Sequence, residues 1–198
     1  MSEKLSQQIA FIYELEKLKK TYRQTWLQHD NNRYENSAEH SWQVALSANI
    51  LSEYAIVDID ISRVTKMLLV HDIVEIYAGD TFAFADDSVL DAQKQKELES
   101  LNRLVNLLPD EQGDDLKKIW LEFESATTND ARFANAIDTV SPALQSLSDN
   151  SDGGTWRKFK ISRDKILKRN HHVKAVAPKL YEYILSKIDE KFDGDYIR

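Results

Sequence analysis

Apolar residues recur along most of this chain at intervals of three and four, the spacing that gathers them on one face of a helix. Ile9, Ile12, Tyr13, Leu15 and Leu18 predict a first amphipathic helix that runs toward Thr21 or beyond, followed by a polar loop over residues 29–36. Asn36 or Ser37 is the expected cap of a second helix. Glu39, three residues after Asn36, is its capping-box partner, and the helix continues through Trp42, Ala45 and Leu46 to about Tyr54. A third helix starts near Asp60, carries Val64, Met67, Leu68 and His71 on its apolar stripe, and ends at Gly79.

Residues 81–87 read as a loop, and further helices are expected over 90–108, 116–124, 130–147, 155–168 and 173–191. Pro109 and Gly113 mark one turn, and Gly153 with Gly154 mark another. With five Gly and three Pro in 198 residues, the pattern predicts an all-α fold. The expectation is a single compact multi-helix domain over 1–198, its C-terminal helices packed on the same core.

The net charge is −7, from 33 acidic and 26 basic residues, which argues against a broad electrostatic footprint for a nucleic-acid polymer or an anionic membrane. A small anionic substrate stays compatible, because local arginines and a metal ion can reverse the field inside a pocket. There is no cysteine, which excludes disulfides, thiolate metal sites and cysteine nucleophiles. Any metal must be held by nitrogen and oxygen. Charges interrupt the apolar residues of the N-terminal segment, so it reads as neither a secretory signal nor a membrane span, and a cytoplasmic protein is expected.

His71 and Asp72 are adjacent and Glu75 follows, so on an α-helix the three fall within an arc of ~100°. A carboxylate at the end of an apolar stripe needs a hydrogen-bonding, charged or metal partner. Alone, the pair reads first as a satisfied core histidine beside an aspartate that caps a helix or pairs with a cation. Three segments together say more: RYENSAEHSWQVAL around His40, LLVHDIVEIYAGDTFA around His71, and FANAIDTVSPAL around Asp138. In this order, over residues 15–143, they resemble the HD-domain phosphohydrolase superfamily, and most of all its bacterial 5'-deoxynucleotidase-like branch.

That resemblance implies an all-helical HD-domain bundle with His40, His71, Asp72 and Asp138 as metal ligands. Glu75 then resembles the branch's catalytic acid or base, and Asp80 of the Gly-Asp pair a residue that orients water or sugar. Arg23 and Trp26 resemble an Arg-x-x-Trp whose arginine binds the phosphate, a task suited to a guanidinium fork. Arg33 is a second, weaker candidate. Without the resemblance, Glu75 reads as a helix-surface acid, Asp80 as a turn residue, and Arg23 and Trp26 as a helix-end cation and a core filler. The chain departs from many relatives in carrying Thr139 directly after Asp138 where they have a basic residue. It also places Pro142 inside that helix.

Two imidazoles and two carboxylates suit Mn, Co, Ni, Fe or Zn better than Mg or Ca. Binuclear relatives add histidines between the doublet and the late Asp, and none occurs here, so one divalent ion is expected. His171 and His172 read as solvated surface, and His29 has no assigned role. The expected activity is hydrolysis of (deoxy)nucleoside 5'-monophosphates by metal-activated water, with no protein nucleophile. Alternatives are a nucleotide phosphodiesterase or pyrophosphohydrolase, and a non-catalytic nucleotide-sensing domain. The resemblance also suggests a homodimer.

Overall fold

In the computed structural model, residues 2–27, 29–30, 33–148 and 153–193 are described; positions 31 and 32 of the expected 29–36 loop lie outside them. Helix α1 (Glu3–Leu15) is capped by the Ser2 hydroxyl and buries none of its residues. It does not run past Thr21. A 3-10 turn, Glu16–Lys20, ends it, and the chain becomes extended as β1 (Tyr22–Leu27), paired antiparallel with β2 (Arg33–Asn36). Tyr22, Thr25 and Trp26 are the β-branched and aromatic types that a pleated, half-buried surface favours. The register pairs Tyr22 with Asn36 and Trp26 with Tyr34, with an irregularity between Tyr22 and Trp26. Apart from this hairpin the fold is all-α.

Helix α2 (Ser37–Leu51) begins with the expected capping box: Glu39 N–H donates to Asn36 Oδ1 at 3.0 Å, and Asn36 N–H to Glu39 Oε2 at 3.2 Å. Helix α3 (Ile61–Val70), capped by Asp60, stops before the histidine it was expected to contain. His71–Val74 form a 3-10 turn, and α4 (Glu75–Ala78) closes at Gly79, whose φ of 75° lies in the left-handed region. Helix α5 (Asp87–Val105) follows.

Gly113 does not mark a turn. It lies inside α6 (Asp110–Ser125), where a Cβ would sit 2.7 Å from the Val105 carbonyl oxygen, so glycine lets α6 close over the end of α5. Helix α7 (Asn129–Leu147) is continuous through Pro142. The expected 155–168 helix is two, α8 (Gly154–Lys158) and α9 (Arg163–Asn170), because Lys160 turns at φ 51° and Ser162 caps a new start. The last expected helix is likewise split: a 3-10 turn, His171–Ala175, precedes α10 (Pro178–Asp193), whose first residue lacks the N–H needed to continue a preceding helix.

The larger core joins Val44 of α2, Met67 and Leu68 of α3, Phe133 and Ile137 of α7, and Ile184 and Ile188 of α10. Each such aliphatic or aromatic side chain contributes roughly 1.5–3 kcal/mol by leaving water. A smaller cluster gathers Ile73, Val74, Leu101, Leu104 and Trp120. The His71–Val74 turn therefore bridges the two clusters, anchored through Met67 and Leu68 on one side and Ile73 and Val74 on the other. Among the described residues no helix is long and apolar enough to cross a membrane.

Candidate active site

The 3-10 turn changes how His71 and Asp72 are presented, since it advances ~120° per residue where an α-helix advances ~100°. The single helix edge expected for His71, Asp72 and Glu75 is replaced by a turn that is buried throughout. Trp120 Nε1 donates to the His71 carbonyl at 2.9 Å, satisfying a backbone group that the α3 ladder no longer uses. The His71 ring sets Nδ1 2.8 Å from the Leu68 carbonyl. Its Nε2 then faces Asp72 Oδ1 at 3.1 Å and Asp138 Oδ1 at 3.5 Å, buried and without a well-formed hydrogen bond.

His40, in the first turn of α2, is fully buried, and its Nε2 lies 2.8 Å from Asp138 Oδ1 and 4.0 Å from Asp72 Oδ2. Ligand atoms of His40, His71 and Asp72 all fall within 4.8 Å of one another. Asp138 reaches both imidazoles. Four donors, two nitrogen and two carboxylate, thus converge, three of them buried and Asp138 partly open to the cleft, and the His71 Nε2 aimed at two carboxylates without a hydrogen bond of its own is the arrangement a divalent cation fits.

Behind this group sits Glu35, which the sequence reading missed. Glu35 is 1% exposed, its Oε2 lies 3.4 Å from His40 Nδ1 and 3.6 Å from Arg23 Nε, and its Oε1 accepts from Gln145 Nε2 at 2.9 Å. In a polar stretch read as loop nothing distinguishes this acid; the inward face of β2, which buries Glu35 and Asn36, is what selects it. Ser37 was also missed. Its hydroxyl contacts Glu75 Oε2, and its backbone N–H donates to the Thr21 carbonyl at 2.9 Å, tying α2 to the hairpin.

Arg23 donates to Asp72 Oδ2 at 2.6 Å and stands 3.9 Å from Glu75 Oε1. Burial alone would lower its pKa, but Asp72, Glu75, Asp138 and Asp80 raise it, so the guanidinium is held charged. Burial would also lower the His71 pKa, and Asp72 and Asp138 outweigh it to bring the imidazole to about 9. Asp138 is drawn well below the usual carboxylate range by His40 and His71 against its own burial. Glu75 moves the other way, pushed well up by burial and by Asp72, with Arg23 opposing. Asp80 is raised by burial, with Arg23 and the Gln24 backbone opposing.

Arg23, Asp72, Glu75, Asp80 and Asp138 line one cleft of about 190 Å³, walled on the far side by Phe84, Trp156 and Arg169. Thr139 borders it beside Asp138, and Pro142 lies on the same wall. Trp26 does not join them. It lines a separate apolar cavity of about 390 Å³ with Ile137, Val140 and Leu144, its ring 6.1 Å from Tyr34 and under Lys158 Nζ at 4.3 Å. Residues three apart share a helix face but not an irregular strand, so the hairpin separates Arg23 from Trp26. Arg33 pairs with Asp30 and Glu39 at the surface, His29 borders the Trp26 cavity, and His171 and His172 are exposed.

The chain matches the family model of the HD domain over residues 15–181. It is 39% identical to a crystal structure of a predicted metal-dependent phosphohydrolase from Magnetospirillum magnetotacticum MS-1, with a TM-score of 0.90 over 98% of this chain and 95% of that one. It is 26% identical to human 5'-deoxynucleotidase HDDC2 over 137 residues, 69% of this chain and 65% of the human protein. It is 28% identical to the 5'-deoxynucleotidase of Shewanella oneidensis over 72% of this chain and 75% of that protein. The alignment with the human protein thus spans just under two thirds of that relative's length. Matched by the family model across both imidazoles and both aspartates, and along nearly its whole length by a 39% identical structure, the chain belongs to the HD-domain family.

Proposed function

We propose that this chain is a metal-dependent phosphohydrolase that releases phosphate from (deoxy)nucleoside 5'-monophosphates. The observation that carries the reading is the convergence of buried His40, His71 and Asp72 with Asp138, which reaches both imidazoles, beside an arginine held charged. The names of the human, Shewanella and Magnetospirillum relatives support it. These four residues would hold one divalent ion, and their nitrogen and oxygen donors suit Mn, Co, Ni, Fe or Zn. Such an ion, when bound, supplies a Lewis acid for a phosphoryl oxygen and lowers the pKa of an attacking water.

The chain's own residues do the rest. Arg23, positioned by Asp72, offers its fork to phosphate oxygens and supplies positive charge that two aspartates would otherwise cancel. Glu75 is buried beside Ser37, in surroundings that favour its protonated form, and gives a proton to the leaving 5'-oxygen. Asp80, held at the cleft wall by the Gln24 backbone, orients water or a sugar hydroxyl. Trp26 supports the hairpin that carries Arg23 and does not itself line this cleft. We extend the reading to a cytoplasmic homodimer, supported by the exposed apolar stripe of Trp42, Leu46 and Ile50 on α2.

The test is inorganic phosphate release from a panel of ribo- and deoxyribonucleoside 5'-monophosphates with Mn, Co, Mg or Zn added. Release that depends on metal is expected. Cleavage of phosphodiesters with all monophosphates left intact would overturn the reading in favour of a phosphodiesterase.

A further inference from the structure

The cleft that holds Arg23 and Asp138 opens into a second, larger one of about 880 Å³, and Phe84, Asp138, Thr139 and Arg169 border both. One wall of the second cleft is a face of α9: Lys165, Lys168 and Arg169 recur at three and four residues, with Arg132 of α7 opposite. In a chain of net charge −7 this is a local concentration of positive charge. Among the described residues, Arg23, Arg33, Arg63 and Arg163 each pair with a carboxylate, whereas Arg132, Lys165, Lys168 and Arg169 have none within 4.0 Å. The acids on this cleft, Asp86, Asp87 and Asp138, form no ion pair with those four cations, and of the four side chains only Arg132 has a hydrogen bond among the described residues, from Nε to the Ala126 carbonyl at 3.3 Å.

Arg169 is the most telling of them. Its side chain is half-buried, its guanidinium stands 5.8 Å from the Phe84 ring, and it is near enough to feel both Asp138 and Arg23. A half-buried cation with no carboxylate within ion-pair distance is a ready partner for an anion entering the cleft. Asp138 and Arg169 border both clefts, Arg23 lines only the first, and Lys165 and Lys168 line only the second, so cations of both clefts share one carboxylate at the junction. A run of contiguous phosphates would have to pass that carboxylate, whereas a ribose set between two phosphoryl groups carries no charge past it.

We propose that this second cleft receives an additional phosphoryl group of the substrate, so that the chain prefers a nucleoside bearing separate 3'- and 5'-phosphoryl groups over the 5'-monophosphate. The inference rests on the phosphohydrolase reading and narrows its substrate class. Arg169 serves both clefts, and Lys165 and Lys168 serve the added group alone. No new chemical step is involved: the 5'-ester bond is cleaved by water as in the monophosphate, and the 3'-phosphoryl group leaves unchanged on the nucleoside.

The test compares adenosine 3',5'-bisphosphate with adenosine 5'-monophosphate as substrates of the full chain and of a Lys165→Gln/Lys168→Gln double variant. The bisphosphate is expected to have a kcat/KM about tenfold higher in the parent, because two exposed ion pairs each add a modest factor. That advantage should shrink as salt is raised. In the double variant it should fall toward unity while kcat/KM for the monophosphate stays unchanged. Equal kcat/KM for the two nucleotides in the parent, or an advantage that survives in the double variant, would overturn the proposal. If neither nucleotide nor its 2'-deoxy counterpart is turned over, the phosphohydrolase reading fails by itself. The same pair of ligands, titrated by calorimetry, then decides the cleft by affinity, with equal binding of the two overturning it.

Discussion

Glu35 Oε2 lies 3.4 Å from His40 Nδ1, on the side of the ring opposite the Nε2 that meets Asp138. The contact is one of charge, outside hydrogen-bond geometry, and a carboxylate there favours a proton on Nδ1 and so leaves the far nitrogen free for a metal; outer partners of metal-bound histidines are typically worth 10–100-fold in metal affinity. Glu35→Gln removes the charge and keeps the shape. It should weaken metal binding by about that factor in a direct titration, with the four ligand side chains untouched. Affinity equal to the parent's would show that Glu35 serves Arg23 alone.

Arg23→Lys keeps the positive charge beside Asp72 but loses the fork. If Arg23 binds phosphate through two parallel N–H donors, kcat/KM for a nucleoside monophosphate should drop by about 10- to 100-fold, the loss expected for a charged hydrogen bond. Metal content should not change, which plasma emission analysis of the purified variant checks.

His71 gives a pH dependence with a defined sign. Its pKa in the fold is raised from 6.5 to about 9, so in chelator-treated protein the imidazole contributes stability that is full below pH 6.5 and is lost as pH rises through about 9. The melting temperature of chelated protein should therefore fall across that window, and less steeply in His71→Gln. Metal must displace the same proton, so metal affinity should rise by up to about tenfold per pH unit until the imidazole has titrated, then level off. Affinity independent of pH between 6.5 and 9 would contradict the charged imidazole.

Gly113→Ala tests the α5–α6 corner apart from the chemistry. The added methyl would meet the Val105 carbonyl oxygen at 2.7 Å, a backbone atom with little room to move. Overpacking of this kind costs about 1–3 kcal/mol, against roughly 1 kcal/mol gained in helix propensity. Thermal unfolding should show a net loss of stability, with kcat of the folded fraction unchanged.

What could be read from the residues alone was decided by range. The Asn36–Glu39 capping box is legible because three residues settle it, and the Val64, Met67, Leu68 stripe because α3 repeats its spacing. The β-hairpin was not, since strands of six and four residues with an irregular register show no alternation to detect. Without the hairpin, Arg23 and Trp26 could be read only through their resemblance to an Arg-x-x-Trp, and Glu35 was hidden. The end of α3 at Val70 was equally invisible, because the turn at His71 follows from Ile73 and Val74 reaching a different cluster, around Leu101 and Trp120. Asp138 lay within a segment whose order carried it, whereas Arg169, well over a hundred residues from His40, had only its place on α9 to reveal it.

The most direct measurement compares metal content and phosphate release in Asp72→Ala and Glu75→Gln, prepared side by side with the parent. Asp72→Ala should lose both the metal and turnover. Glu75→Gln should retain the metal and lose turnover by about 10²-fold or more, the contribution of a positioned proton donor. Equal loss of metal in the two variants, or phosphate release by Asp72→Ala at the parent's rate, would contradict a metal-dependent hydrolysis in which these two acids hold different tasks.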